Sequence, residues 1–246
     1  MVEPIPDVPA ATAATAGERL LVFADYHAGL EVALRRDGVE LRSAAEDRRA
    51  RLLDIVRDTR PDRVVALGDA GNALGTPSGE EKRELRELFD AVTSYCPLVV
   101  VKGNHDGDVE TVAADSEDVT VTDGTGTRIG DIGFAHGHTW PSESVLSAET
   151  LCVAHEHPQV RLEDEVGGAR TERAWLRGGV NPDPFTEQSL AVDSTRLVVF
   201  PAFNDRVGGT WVNENDAFLA PFLPDALADG EAYLLDGTRL GRYDRL

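Results

Sequence analysis

Short apolar runs that stop at a glycine or at a metal-binding side chain set the rhythm of this chain. Leu98–Val101, bounded by Pro97 and Gly103, predicts a buried strand that delivers Gly103-Asn104-His105-Asp106. Runs at 20–24, 64–67, 132–135 and 151–154 likewise predict strands. They end in Asp25-Tyr26-His27, Gly68-Asp69, His136-Gly137-His138 and His155-Glu156-His157. Between the early strands the period lengthens. Leu52, Leu53, Ile55 and Val56 line a helix ending near Arg60-Pro61, and Leu85, Leu88, Phe89 and Val92 line a second. Ser43 with Glu46, and Ser78 with Glu81, match the capping box. The charged positions Glu80, Glu81, Glu84 and Glu87, and Arg48, Arg49 and Arg51, read as solvated helix faces. The polar segment 29–39 fits a short helix or a loop.

Strand alternating with helix predicts a largely parallel sheet in an α/β fold. From Val119 onward the runs shorten and turns multiply. Strands are expected at 119–122, 127–135, 151–154, 159–162, 173–176, 196–200, 231–235 and 238–243. They predict a second sheet against the first, in a single domain over residues 19–246. Residues 1–18, rich in Pro, Ala and Thr, read as a flexible leader.

Composition changes this picture at three points. The hydrophobic content of 41% over 246 residues is ample for a core, and no apolar run approaches a membrane span. With no signal-peptide pattern, a cytoplasmic protein is expected, with Cys96 and Cys152 as buried free thiols. The formal net charge is −20, and Lys82 and Lys102 are the only lysines. Such acidity predicts adaptation to high salt, as in a halophilic archaeon, where self-repulsion is screened; an ordinary acidic cytosolic protein is the competing reading. An acidic surface opposes nucleic-acid binding at low salt, and the same screening relaxes that objection.

All six histidines fall in four places, His27, His105, His136 with His138, and His155 with His157, each beyond a strand-like run. Open α/β sheets put their ligand sites at the carboxyl ends of strands. Asp25, His27, Asp69, Asn104, His136, His155 and His157 form a set of N and O ligands without thiolate. It exceeds what one ion uses and suits two, about 3.5–4 Å apart, with one carboxylate bridging. Two such ions clamp the oxygens of an in-line phosphoryl displacement. His105 is then placed to protonate the leaving oxygen or to steady the developing charge, with Asp106 holding its ring. His138 fits a contact to substrate phosphate, a group behind the ligands, or a surface histidine. Asn72 and Asn204 fit turn residues at least as well as site residues.

The motifs Asp25-x-His27, Gly68-Asp69, Gly103-Asn104-His105-Asp106, His136-Gly137-His138 and His155-Glu156-His157 resemble, in order, those of the calcineurin-like metallophosphoesterases. The last motif, continued by Pro158, looks most like the archaeal phosphoesterases related to the Mre11/SbcD nucleases. That group includes a bacterial enzyme associated with a DNA ligase and a helicase. Weaker similarity continues through 197–209. The resemblance implies a four-layer α/β/β/α sandwich of two mixed sheets. It places one ion on Asp25, His27, Asp69 and His157, and a second on Asp69, Asn104, His136 and His155. Mn²⁺ is the expected metal, with Fe, Zn, Ni or Co as alternatives. His105 would be the catalytic histidine and Asp106 its partner. One departure is Ala154, where the family usually has glycine. The expected activity is hydrolysis of phosphodiester bonds in nucleic acid or nucleotides, with a repair helicase or ligase as the implied partner. A phosphomonoesterase and a non-catalytic scaffold are the competing readings.

Overall fold

In the strand Glu18–Phe23, Leu20 and Val22 face one core and Leu21 and Phe23 another. Arg63–Leu67 repeats the pattern, with Val65 and Leu67 against Val64 and Ala66, and so does Leu98–Val101. A strand covered on both faces has no polar side. That is why these runs are unbroken.

The computed structural model describes residues 1–15, 17–164, 166–214 and 218–246. The first half runs β1 (Val2–Pro4), β2 (Ala10–Thr15), β3 (Glu18–Phe23), α1 (Leu30–Arg36), α2 (Ala45–Thr59), β4 (Arg63–Leu67), α3 (Gly79–Thr93), β5 (Leu98–Val101), α4 (Glu110–Ala113) and β6 (Val119–Thr122). The second runs β7 (Thr127–Ile129), β8 (Ile132–Phe134), α5 (Glu143–Leu146), β9 (Thr150–Val153), β10 (Gln159–Glu163), β11 (Ala169–Val180), α6 (Asp183–Glu187), β12 (Arg196–Val199), β13 (Leu227–Leu234) and β14 (Arg239–Arg242). Among the described residues the first sheet is ordered β1-β2-β3-β4-β5-β6 and the second β14-β13-β11-β12-β9-β8-β7, with β10 paired to β11. In the first sheet β3 to β6 are parallel; in the second β8, β9 and β12 are. Both sheets are therefore mixed.

The sheets meet through Val22, Leu67 and Val101 on one side and Phe134, Cys152, Trp175 and Phe200 on the other. Leu52, Ile55, Leu88 and Phe89 from α2 and α3 cover the outer face of the first sheet. Val145, Leu146 and Phe185 from α5 and α6 cover the second. The result is the α/β/β/α order expected of a metallophosphoesterase fold. Among the described residues no helix is long and apolar enough to cross a membrane.

Several local expectations need correction. The leader is not loose: β1 and β2 extend the first sheet antiparallel to β3, with Ala11 and Ala13 buried between the sheets. Alanine has little strand preference, but the narrow space between the sheets favours a small side chain. Val119–Thr122 pairs with β5 and belongs to the first sheet. The stretch 127–135 is a hairpin of β7 and β8, turned at Gly130. Neither capping box forms. Ala44 is the N-cap of α2, and Ser78 caps α3 without a side-chain bond. Glu81 and Glu84 are buried rather than solvated, as is Arg48.

Cys96 and Cys152 are free and buried, and burial pushes both thiols above the usual range. We expect neither to react with a thiol reagent in the native protein and both to react after unfolding. A native-state count by absorbance checks this.

Candidate metal centre

Because β3, β4 and β5 are parallel and in register, their carboxyl ends open on one edge. The loops beyond them continue the pairing: Asp25 N–H donates to Gly68 O at 3.1 Å and His27 N–H to Asp69 O at 2.9 Å. In the second sheet the parallel pair β8 and β9 carries His136 and His155 side by side, with Ala154 N–H donating to His136 O at 2.8 Å. Among the described residues nine non-glycine positions have positive φ, and five of them are Asp25, His27, Asp69, His155 and His157. This region is costly for side chains with a Cβ, and such strain persists where the surroundings enforce it. Here it turns five candidate ligands inward from the ends of three strands, β3, β4 and β9.

Two glycines make room. A Cβ on Gly68 would stand 2.1 Å from His136 Nδ1, and one on Gly103 would stand 2.1 Å from Asp69 Oδ1. The Gly-Asp and Gly-Asn pairs are thus bound up with the neighbouring ligand, not only with their own turns.

The side chains gather in two groups, Asp25, His27, Asp69 and His157, and Asp69, His136 and His155, with ligand atoms within 4.8 Å of one another in each. Asp69 is common to both. Its Oδ2 lies 3.7 Å from His27 Nε2 and 3.3 Å from His136 Nε2. His157 Nε2 lies 3.2 Å from Asp25 Oδ1 and 3.4 Å from His27 Nε2. Both Asp25 carboxylate oxygens, Asn104 Oδ1, His136 Nε2 and His138 Nδ1 are buried without a hydrogen bond among the described residues. Buried polar atoms without partners are expensive. A converging set of carboxylate, amide and imidazole acceptors fits divalent cations.

The far side of each ring is already tied down. Nδ1 of His105 lies 2.9 Å from Asn72 O, that of His136 3.1 Å from Leu67 O, and that of His157 2.7 Å from Gly208 O. His27 Nδ1 lies 3.2 Å from Asn72 Oδ1. These oxygens only accept, so Nδ1 of each ring carries a proton and Nε2 is the nitrogen left for a metal ion or for proton transfer.

Charge follows the same plan. Burial alone would raise the Asp69 carboxyl, but His136, His27 and the His105 amide outweigh it and hold it below the usual carboxylate range. Burial would lower His136; Asp69 and then Asp25 overcome this and push it up to about 9. Burial lowers His27 to about 4, and burial with His136 lowers His155 to about 4. A metal must therefore displace a proton from His136 at neutral pH, so affinity rises with pH as that proton is lost. Calorimetric titration in two buffers of different ionisation enthalpy should show about one proton released at pH 7.

Some sequence-derived roles change. Asp106 does not hold the His105 ring. Its carboxylate accepts from Gly71 N–H at 2.8 Å and Gly103 N–H at 2.9 Å, bracing the loops after β4 and β5. Burial and the Asp69 charge raise it to about 6. The ring is held by Asn72, which serves His27 as well. Glu81 fixes Asn72 in turn, accepting from its N–H at 2.7 Å and from Ala73 N–H at 2.8 Å. Local pattern could not expose this, because Glu81 sits where a capping box predicts a different partner. His138 stands at the second group, its ring 5.5 Å from His136 and 6.2 Å from His155. Asn204 lies outside the cluster and clamps the first loop, donating to Tyr26 O at 3.1 Å.

Two mixed sheets with this cluster at their joined strand ends define a metallophosphoesterase. The chain belongs to the calcineurin-like phosphoesterase family, whose profile matches residues 18–185, and is a metal-dependent phosphoric ester hydrolase. Among solved structures it is similar to the Pseudomonas putida nuclease MPE, at TM-score 0.56 and 17% identity over 96% of this chain and 98% of that one. At that identity the likeness is one of fold. A search of the curated proteins finds no match.

Proposed function

We propose that the chain is a two-metal phosphodiesterase acting on nucleic acid or nucleotides. The observation that carries this reading is the pair of ligand groups sharing Asp69, with unpartnered acceptors turned into both. Asp25, His27, Asp69 and His157 would hold one ion, and Asp69, Asn104, His136 and His155 the other. Mn²⁺ suits this oxygen- and imidazole-rich set. When bound, the ions supply Lewis-acid polarisation and neutralise charge developing on the phosphoryl group.

The chain's own groups do the rest. His105, its Nδ1–H spent on Asn72, gives the leaving oxygen the second proton that its imidazolium form carries on Nε2. Its ring lies 5.3 Å from that of His27, close enough to serve the same phosphoryl group. His138, half-buried with Nδ1 unpartnered, is assigned to a non-bridging phosphate oxygen. Asp106 and Glu81 act as positioning residues behind them.

The likeness in fold to a nuclease supports a nucleic-acid or nucleotide substrate. The charge of −20 argues that such a substrate is approached best in high salt. The test compares bis-p-nitrophenyl phosphate with p-nitrophenyl phosphate in Mn²⁺ and high KCl. Diester turnover should exceed monoester turnover and fall by about 10²–10⁴ in His105→Ala, the usual range for a general acid. Preference for the monoester would make the chain a phosphomonoesterase. Metal binding without turnover on either ester would make it a scaffold.

A further inference from the structure

We propose that Trp211 is the stacking platform for a nucleobase next to the scissile phosphate, an inference that rests on the phosphodiesterase reading above. Trp211 lines a cleft of about 540 Å³ together with the candidate ligand His157. Gly208, whose carbonyl receives the His157 ring proton, is three residues away, at most about 10 Å of extended chain. A base attached to a phosphate at the metal centre therefore falls within reach of the indole.

The platform is built rather than incidental. Residues 210–212 run beside the segment after His157: Gln159 N–H donates to Thr210 O and Val212 N–H to Gln159 O, both at 2.9 Å. Asn213 Oδ1 accepts from Arg161 N–H at 3.0 Å, and its Nδ2 donates back to Arg161 O at 2.8 Å. Glu156, between the two ligand histidines, is fully buried. It accepts from Thr210 Oγ1 at 3.0 Å and from Ala220 N–H at 2.6 Å, tying the wall of the cleft to the metal-binding motif. Against this rigid backing the Trp211 side chain stays 42% exposed, with the Arg161 guanidinium 5.4 Å from its ring centre.

The charge of the cleft selects the occupant. Its ionisable lining includes Glu156 and Glu214, and Arg161 is already paired with Glu163 at 2.9 Å and Glu214 at 3.4 Å. A second phosphate would meet the exposed Glu214 carboxylate, with Glu156 buried behind the wall. A flat uncharged ring would meet Trp211 and the exposed Leu219. Base–aromatic stacking is insensitive to which base is present, so the cleft would bind nucleotides without reading sequence.

The test uses metal-loaded wild type, Trp211→Ala and Trp211→Phe on three esters with one leaving group: p-nitrophenyl thymidine 5′-phosphate, its 3′ isomer, and methyl p-nitrophenyl phosphate. Wild type should show a lower KM for at least one thymidine ester than for the methyl ester. Trp211→Ala should shrink that KM advantage about tenfold, within the range for one stacked base, and Trp211→Phe should restore most of it. An unchanged KM ratio in Trp211→Ala overturns the inference while the phosphodiesterase reading stands. So does an equal rise on all three esters, which would place the leaving group on the ring. If wild type hydrolyses none of the three, the phosphodiesterase reading falls and takes the inference with it.

Discussion

Asp69→Asn is expected to fold normally and to lose at least about a thousandfold in diester turnover, several kcal/mol of lost metal stabilisation. The asparagine keeps an oxygen for His105 N–H, which Asp69 Oδ1 accepts at 2.8 Å, so the loop after β5 stays in place. What disappears is the one charge shared by both ligand groups. The larger of the two charges that lift His136 goes with it, so that ring gives up its proton more easily. The variant should bind no more than one ion tightly. Metal analysis after gel filtration, beside kcat for bis-p-nitrophenyl phosphate, checks both halves. Wild-type turnover in Asp69→Asn would remove Asp69 from the site.

The largest stability effect is expected at Arg48, which is 6% exposed between Glu31 at 1% and Glu84 at 7%. Arg48 donates to both oxygens of Glu31, at 3.1 and 3.3 Å, and also to Glu84 Oε1. Glu84 Oε2 accepts Gly29 N–H at 2.8 Å, and the Arg48 guanidinium lies 4.9 Å from the centre of the Tyr26 ring. The network joins the three main helices of the first half to the loop of Asp25 and His27. Arg48→Met leaves the buried Glu84 without a cation and Glu31 with Arg206 alone. Breaking a buried pair in this way costs about 3–5 kcal/mol, or roughly 6–20 °C in Tm for a chain of this size. The triple variant Glu31→Gln, Arg48→Met, Glu84→Gln removes the charges together and should recover much of the loss. Thermal melts of the two variants separate unpaired charge from lost packing, because only the former is rescued.

How far the sequence was legible depended on whether the cause of each feature is local. The central strands were legible because both faces are buried and the runs are continuously apolar. The candidate ligands were legible because every histidine follows such a run, and the five motifs stand in the family's order. Features set by partners distant in sequence were not. Glu81 and Glu84 sit among charges that mimic a solvated face. Their partners at Asn72, Gly29 and Arg48 come from other elements. β2 was missed because alanine carries little strand signal. Asp106 follows His105 directly, which suggests a partnership, yet both its oxygens are taken by Gly71 and Gly103. Trp211 gave no signal at all, since its place beside His157 depends on pairing across residues 156–161.

In the proposed mechanism two ions share Asp69 and turnover needs both. Metal-free protein titrated with Mn²⁺ in high KCl, read by bis-p-nitrophenyl phosphate hydrolysis, tests it most directly. Activity should stay low through the first equivalent per chain and rise through the second. Full activity at one equivalent, or none at two, would contradict it.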